Sequence, residues 1–358
     1  MTRPGLSALG FTPALAEAFA PLEAEGLVPG RVVAGLTARL VRVGTADGEL
    51  TAEIAGSLRH RARDSEELPA VGDWVALKPG GSKAGAVLLS VLPRRTAFVR
   101  RAAGDRTIAQ VLAANVDTVF LVMGLDADYN PRRLERALVL AFESGAEPVV
   151  LLNKADLAPD LAAQRAEIER VAHGVPVCVV AAKPGEGLEQ LAAWLGPGRT
   201  VALLGSSGVG KSTILNRLLG REKQKTRDVR ASDQRGRHTT THRELFLLPS
   251  GALLLDTPGL REIQLWSDGG AGVDAAFDDV VSLATTCRFT TCRHAGEPGC
   301  AVAAAIGAGR LDAARLESYL KLQAEVRSLE VRQDPLQRLE ERGRWKAVHK
   351  SLRKGKRD

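Results

Sequence analysis

The stretch "LLGSSGVGKSTILNRLLG" (203–220) decides how this chain is read. Its centre, "GSSGVGKS" (205–212), has the spacing G-x-x-x-x-G-K-S. Gly205, Gly208 and Gly210 let the backbone fold tightly enough to aim its N–H groups at phosphate oxygens. Lys211 adds a point charge for the β- and γ-phosphates, and Ser212 offers a hydroxyl to Mg²⁺. Ser206, Ser207, Val209 and Thr213 complete the cradle. The apolar "TVALL" before it reads as a strand, and the helix from 212 points its positive end at the anion. A nucleotide site is expected.

Fifty residues earlier, "VVLLNKADL" (149–157) ends a strand in "NKAD" (153–156). Asp156 can accept hydrogen bonds from the ring N–H and exocyclic amine of guanine, a donor pair that adenine lacks. A site built on such pairing rejects the unpaired analogue by ~10⁴-fold, which disfavours an ATPase. Asn153 would steady the loops, and Lys154 can lie along the base. In "AAKPGEGL" (181–188), Ala181, Ala182 and Lys183 would bring backbone to the guanine carbonyl, although Ala181 stands where a serine often heads that motif. Downstream, "DTPG" (256–259) ends a strand; Asp256 can hold the hydration shell of Mg²⁺ and Gly259 can donate to the γ-phosphate. In a GTPase the phosphate loop usually comes first. Here the base-reading loops precede it.

The chain has 358 residues, enough for two or three domains, and is 45% hydrophobic and 25% charged, an ordinary globular composition. Its net charge of +7 favours an anionic partner. Apolar runs are strand-length, short of the ~20 residues a membrane span needs, so no membrane association is expected. The start, "MTRPGLSALGFTPALAEAF", lacks a secretory signal, and a cytoplasmic protein is expected. Residues 31–98 read as about five short strands broken by Gly and Pro, a small barrel best matched by the OB-fold. "RHRAR" (59–63) and "RRTAFVRR" (94–101) place basic side chains on it. From about 115, apolar strands alternate with amphipathic helices, including "NPRRLERALVLAFESG" (130–145) and "GLEQLAAWLG" (187–196), the pattern of a mostly parallel α/β sheet. "RELFLLPSGALLLDTPG" (243–259) reads as a hairpin turning at Pro249-Ser250-Gly251.

Of the four cysteines, Cys178 lies in "VPVCVVAA", a strand thiol. The others crowd into "CRFTTCRHAGEPGC" (287–300). Cys287, Cys292, His294 and Cys300 make a closed three-thiolate, one-imidazole set for one structural Zn²⁺. A helical stretch follows, and then a basic tail, "RGRWKAVHKSLRKGKRD" (342–358), suited to nucleic-acid phosphates, with Trp345 able to stack on a base.

The order base, base, phosphate, switch, metal resembles the circularly permuted GTPases. With a barrel ahead and a Cys/His knot behind, nearly the whole chain resembles the ribosome small-subunit-dependent GTPase A family. The likeness rests on "ANVD" (114–117), "NKADL", "GSSGVGKST", "GRHTTTHRELF" (236–246), "DTPGLRE" (256–262) and the C-x4-C-x-H-x5-C spacing. It implies an OB-like barrel within 1–100, a permuted P-loop GTPase domain over 104–263 and a mainly helical zinc domain over 264–358. It also implies GTP hydrolysis in late maturation of the small (30S) subunit, stimulated by that subunit and coupled to docking on its rRNA, in a monomeric protein. A nucleotide-gated RNA-binding module, in which hydrolysis only resets binding, is the alternative.

Residues 221–246 are polar and aperiodic, as expected of a loop ordered by γ-phosphate and Mg²⁺. One of Thr239, Thr240 and Thr241 should bind Mg²⁺ beside Ser212 and Asp256, and the resemblance picks Thr240. Leu260 stands where Ras-like GTPases carry a water-orienting glutamine, so slow intrinsic hydrolysis is expected. His238 is the candidate to hold the attacking water.

Overall fold

The computed structural model describes residues 4–62, 65–80, 85–102, 108–220, 243–256 and 270–333. The chain divides into two compact units, Met1–Gln264 and Leu265–Asp358.

The first unit begins with α1 (Pro4–Ala8) and α2 (Pro13–Ala24). Thr12 caps α2 by accepting the Leu15 N–H, and Pro13 occupies the first turn, where a missing N–H costs nothing. The barrel follows as β1 (Val28–Gly35), β2 (Leu40–Thr45), β3 (Gly48–Ile54), α3 (Gly56–Arg61), β4 (Trp74–Pro79) and β5 (Gly85–Val91). β1 pairs with β2 and β4, β2 with β3, β3 in parallel with β5, and β5 with β4, so the ring closes. That is an OB-like circuit. Trp74 and Ala76 pack against Leu6, Phe11 and Phe19 of the N-terminal segment, while Val75 and Leu77, on the other face of β4, are fully buried.

A hairpin of β6 (Ala97–Ala102) and β7 (Ile108–Ala114) leads into the α/β part. There β8 (Thr118–Gly124), α4 (Pro131–Ser144), β9 (Glu147–Asn153), α5 (Leu161–Ala172), β10 (Val177–Val179), β11 (Thr200–Leu204), α6 (Lys211–Leu219), β12 (Glu244–Leu247) and β13 (Leu253–Asp256) form a sheet in the order β10-β9-β8-β11-β13-β12. All neighbours are parallel except β12 against β13. Every residue of β8 is buried, as both faces of a parallel sheet require. Asn130 caps α4 through the Arg133 N–H, and Gly145, at φ 79°, ends it. β11, which carries the phosphate loop, is fourth in chain order among the strands of this sheet yet central in it. The sheet depends on which strands pair, so the permuted order leaves its layout intact.

One local expectation is corrected, and two features were not foreseen. Residues 187–196 form only a short 3₁₀ turn, Leu188–Ala193, because Gly187 (φ 78°) precedes it and Gly196-Pro197 follows. The basic stretch near 59–63 begins inside helix α3. The β6–β7 hairpin was not anticipated.

The sheet continues into the barrel: Ala34 of β1 pairs with Glu244 of β12, and Arg42 of β2 meets Glu244 at 3.1 Å. A second junction centres on Arg31, which is 2% exposed. Its guanidinium donates to the carbonyls of Leu9 (2.6 Å), Gly72 (3.1 Å) and Asn115 (3.0 Å) and lies over Trp74. Burial pushes its pKa down to about 10. In "ANVD", Asn115 (φ 53°) also accepts the Arg95 N–H, and Asp117 accepts the Thr200 N–H, so this motif joins barrel, linker and sheet.

The second unit holds α7 (Ala271–Ala276), α8 (Asp278–Ala284), α9 (Ala301–Gly307) and α10 (Ala313–Gln333). Val273, Phe277, Val280, Val302, Ala305, Leu316, Tyr319 and Val326 are buried in it. Arg315, buried against Phe277, donates to the Asp279 carboxylate and the Ala276 carbonyl. Among the described residues no helix is long and apolar enough to cross a membrane.

Candidate nucleotide site and cysteine–histidine centre

The phosphate loop leaves β11 at Gly205 and enters α6 at Lys211. Gly205, Gly208 and Gly210 have φ values of 156°, 84° and 99°. At Gly208 and Gly210 only glycine takes that conformation without strain. Val209 is fully buried in the apolar core, so it anchors the loop and leaves only its backbone to a ligand. Lys211 Nζ donates to the carbonyls of Gly205 (2.6 Å) and Ser206, which places a cation at the mouth of the loop.

The base-reading residues come from two loops beside it. Asn153 ends β9, 2% exposed, and uses both ends of its side-chain amide. Nδ2 donates to the Val209 carbonyl at 2.7 Å, and Oδ1 accepts the Ala182 N–H at 3.0 Å. One side chain thus binds the "NKAD", phosphate and "AAK" loops into one site. Lys154 adopts the left-handed conformation (φ 63°), which opens the 3₁₀ turn Ala155–Leu157 and leaves Asp156 exposed. A carboxylate in that position is desolvated only when a base covers it. Ala181 and Ala182 are buried, and Ala181 bridges to Glu186. Asp256 stands at the end of β13, the Cα partner of Glu244.

Sequence reasoning missed three side chains that hold these loops. Arg217 on α6 donates to the carbonyls of Ala182 (3.1 Å) and Lys183, pinning the "AAK" loop to the phosphate-loop helix. Asp126 meets Lys154 Nζ at 2.6 Å. Arg133 donates to Ser206 Oγ and to Asp128 Oδ1, both at 2.6 Å. Each contact joins residues 5 to 73 positions apart with no periodic signal between them. The predicted His238, Thr239, Thr240, Thr241 and Gly259, and the basic tail with Trp345, lie outside the described residues.

In the second unit the ligand atoms of Cys287, Cys292, His294 and Cys300 all lie within 4.8 Å of one another. Cys287 Sγ is 4.0 Å from Cys300 Sγ and 3.7 Å from His294 Nδ1, which is 3.5 Å from Cys300 Sγ. A tetrahedral Zn²⁺ with Zn–S of about 2.3 Å and Zn–N of about 2.0 Å sets S···S near ~3.8 Å and S···N near ~3.5 Å. The donor set therefore fits zinc, and 4.0 Å is far too long for a disulfide. His294 is held at φ 60°. Glu297 accepts the N–H groups of Arg293 and Ala295, shaping the loop, and Cys300 caps α9 through the Ala303 N–H. Cys178 is buried on β10, and burial raises its pKa.

Comparison with known proteins agrees with this geometry. The profile of the RsgA GTPase family matches residues 91–266. The small ribosomal subunit biogenesis GTPase RsgA of Opitutus terrae is 51% identical over 356 residues, covering 97% of each chain. Its namesake in Streptomyces coelicolor is 46% identical over 362 residues, covering 98% of this chain and 96% of its own. Among solved structures, YjeQ from Thermotoga maritima matches with a TM-score of 0.64 at 25% identity, covering 84% of this chain and 98% of that one. YloQ, described as a circularly permuted GTPase, has the same fold with a TM-score of 0.59 at 22% identity, covering 84% of this chain and 96% of its own.

Proposed function

The chain belongs to the RsgA GTPase family, and from that premise we propose how its site works. It is a GTP hydrolase of small ribosomal subunit biogenesis. The observation that carries the reading within this chain is buried Asn153, which fixes a guanine-reading loop and a phosphate loop against each other.

GTP would lie with its phosphates on the N–H groups of 205–213 and its guanine between Lys154, Asp156 and the backbone of Ala181–Lys183. Mg²⁺ bound with the nucleotide supplies electrostatic stabilisation of the transferring phosphoryl group. Ser212, Thr240 and Asp256 are the residues to hold it. His238 orients the attacking water, since Leu260 has no hydrogen-bonding group to do so. Gly259 donates to the γ-phosphate. Zn²⁺ at Cys287, Cys292, His294 and Cys300 is structural, supported by the fit of the donor distances.

The chain works as three parts: a barrel within 1–100, a GTPase domain over 104–263 and a zinc domain over 264–358. It acts as a cytoplasmic monomer in late maturation, docking on small-subunit rRNA through its barrel and zinc parts. The basic tail and the net charge of +7 support contact with phosphates. The subunit stimulates hydrolysis, and hydrolysis releases the protein. The test is GTP turnover with purified small subunits, with large subunits and with neither. Stimulation by small subunits alone supports the proposal; equal rates in all three leave a nucleotide-gated RNA-binding module.

A further inference from the structure

We infer that the turn at 125–130, together with Arg133, ties the guanine-reading loop to the phosphate loop, making Asp126, Asp128 and Arg133 positioning residues for the nucleotide. The inference rests on the GTPase reading above.

The tie can be followed atom by atom. Lys154 Nζ, in the "NKAD" loop, donates to Asp126 Oδ2 at 2.6 Å. The other oxygen of that carboxylate accepts the Asp128 N–H at 3.3 Å. Asp128 Oδ1 accepts Arg133 Nη1 at 2.6 Å, and the same Nη1 donates to Ser206 Oγ, again at 2.6 Å. Ser206 is in the phosphate loop, and its carbonyl accepts Lys211 Nζ. A series of charge-assisted bonds, joined through the Asp128 and Ser206 residues themselves, therefore runs from the lysine beside the base to the lysine beside the phosphates.

The ends of the tie are set by rigid elements. The turn follows β8, whose residues are all buried, and Arg133 sits in the first turn of α4, whose N-cap is Asn130. Burial acts to raise the Asp126 carboxyl, but the Lys154 ammonium and the Asp128 N–H together hold it below its ordinary value. Beside Arg133 the cavity lined by Asp128, Asn130, Gly205 and Ser206 measures about 30 Å³, room for one water. With its Nη1 on Ser206 Oγ, Arg133 acts by placing Ser206.

Exposed ion pairs add little to fold stability. Arg133 and Asp128 have side chains 49% and 29% exposed, so breaking their contact should leave the fold intact and change nucleotide affinity instead. Guanine seated against Lys154 would stiffen the phosphate loop through the tie, so the two ends should not act independently.

The experiment measures GDP dissociation constants by calorimetry on the full-length wild type, D126N, R133Q, R133K and the double variant D126N/R133Q, with melting temperatures alongside. Each of D126N and R133Q should weaken GDP roughly three- to tenfold at unchanged melting temperature. R133K, which keeps one charged donor, should recover to within about twofold of wild type. The double variant should be no weaker than the weaker-binding single, since either break severs the same tie. Wild-type affinity in R133Q, single effects that multiply in the double, or a loss matched by lowered melting would overturn the inference. Failure of the GTPase reading itself would show in the wild type, as equal binding of GDP and ADP.

Discussion

Asn153 Nδ2 donates to the Val209 carbonyl at 2.7 Å, inside the turn that closes on Gly210. A Cβ built on Gly210 would run into that same amide, and Gly210 sits at φ 99°, where an L side chain is strained. The asparagine and the glycine are one device: the loop passes close enough to be held because the glycine has no side chain.

Replacing either partner should therefore abolish tight nucleotide binding by different routes. Asn153→Ala leaves the buried Val209 carbonyl and Ala182 N–H unpartnered, at about 1–3 kcal/mol each. Gly210→Ala forces the loop away from Asn153. Calorimetry with GDP should show both variants weakened at least about tenfold, and the pair combined should be far less than additive. Full additivity would mean that the two residues do not act together.

Base choice should rest mainly on Asp156. Its carboxylate is exposed in the chain, beside the left-handed turn at Lys154. Asp156→Ala should lose most of an expected ~10⁴-fold preference for GTP over ATP, because the guanine donors then face no acceptor. Competition of the two triphosphates against a labelled GDP measures it, and an unaltered preference would remove Asp156 from recognition.

What was legible in the sequence was local. The phosphate loop, "NKAD" and the Cys/His spacing each occupy one short stretch of chain, and the alternation of apolar runs such as 118–124 with helical periodicity at 131–144 announces the sheet. The barrel was readable from Gly and Pro punctuation. What was not legible depends on contacts between distant residues. Nothing near Arg31 marks it as a buried cation, because its acceptors lie at Leu9, Gly72 and Asn115. Arg133 and Arg217 read as solvated helix charges, yet both hold loops of the nucleotide site. The β6–β7 hairpin escaped because "IAQVLAA" is as compatible with helix as with strand until its partner is known.

Metal removal should act locally. The helical unit buries Phe277, Val280, Val302 and Leu316 in an apolar core of its own, which should hold when the metal leaves. Chelation should release one Zn²⁺ per chain and expose the 287–300 loop to trypsin at Arg288 or Arg293, with helical circular dichroism nearly unchanged. Wholesale loss of helix would show that the metal folds the unit after all.

His238→Ala should lower subunit-stimulated turnover about a hundredfold and leave GTP affinity within twofold, the pattern of a group that acts on the attacking water. Single-turnover hydrolysis with saturating small subunits reads it directly. Stimulated turnover at the wild-type rate would exclude this histidine from catalysis.

The strand that follows the switch sequence also touches the barrel. β12 begins at Glu244, which pairs with Ala34 of β1 and meets Arg42 at 3.1 Å with side chains 28% and 38% exposed. An exposed pair of this kind adds only about 0–1 kcal/mol to stability, so Arg42→Ala should melt close to wild type. Its effect should appear in communication instead. If barrel docking reaches the nucleotide through β12, Arg42→Ala should reduce the small-subunit stimulation of turnover by about 0.5–2 kcal/mol of coupling, roughly two- to thirtyfold, without changing the intrinsic rate. Glu244→Ala should reproduce that loss and the double variant should add nothing further. Stimulation that survives both substitutions at full strength would mean that the shared strand carries no signal, leaving the chain after Asp256, which runs directly into the cysteine–histidine unit, as the remaining route.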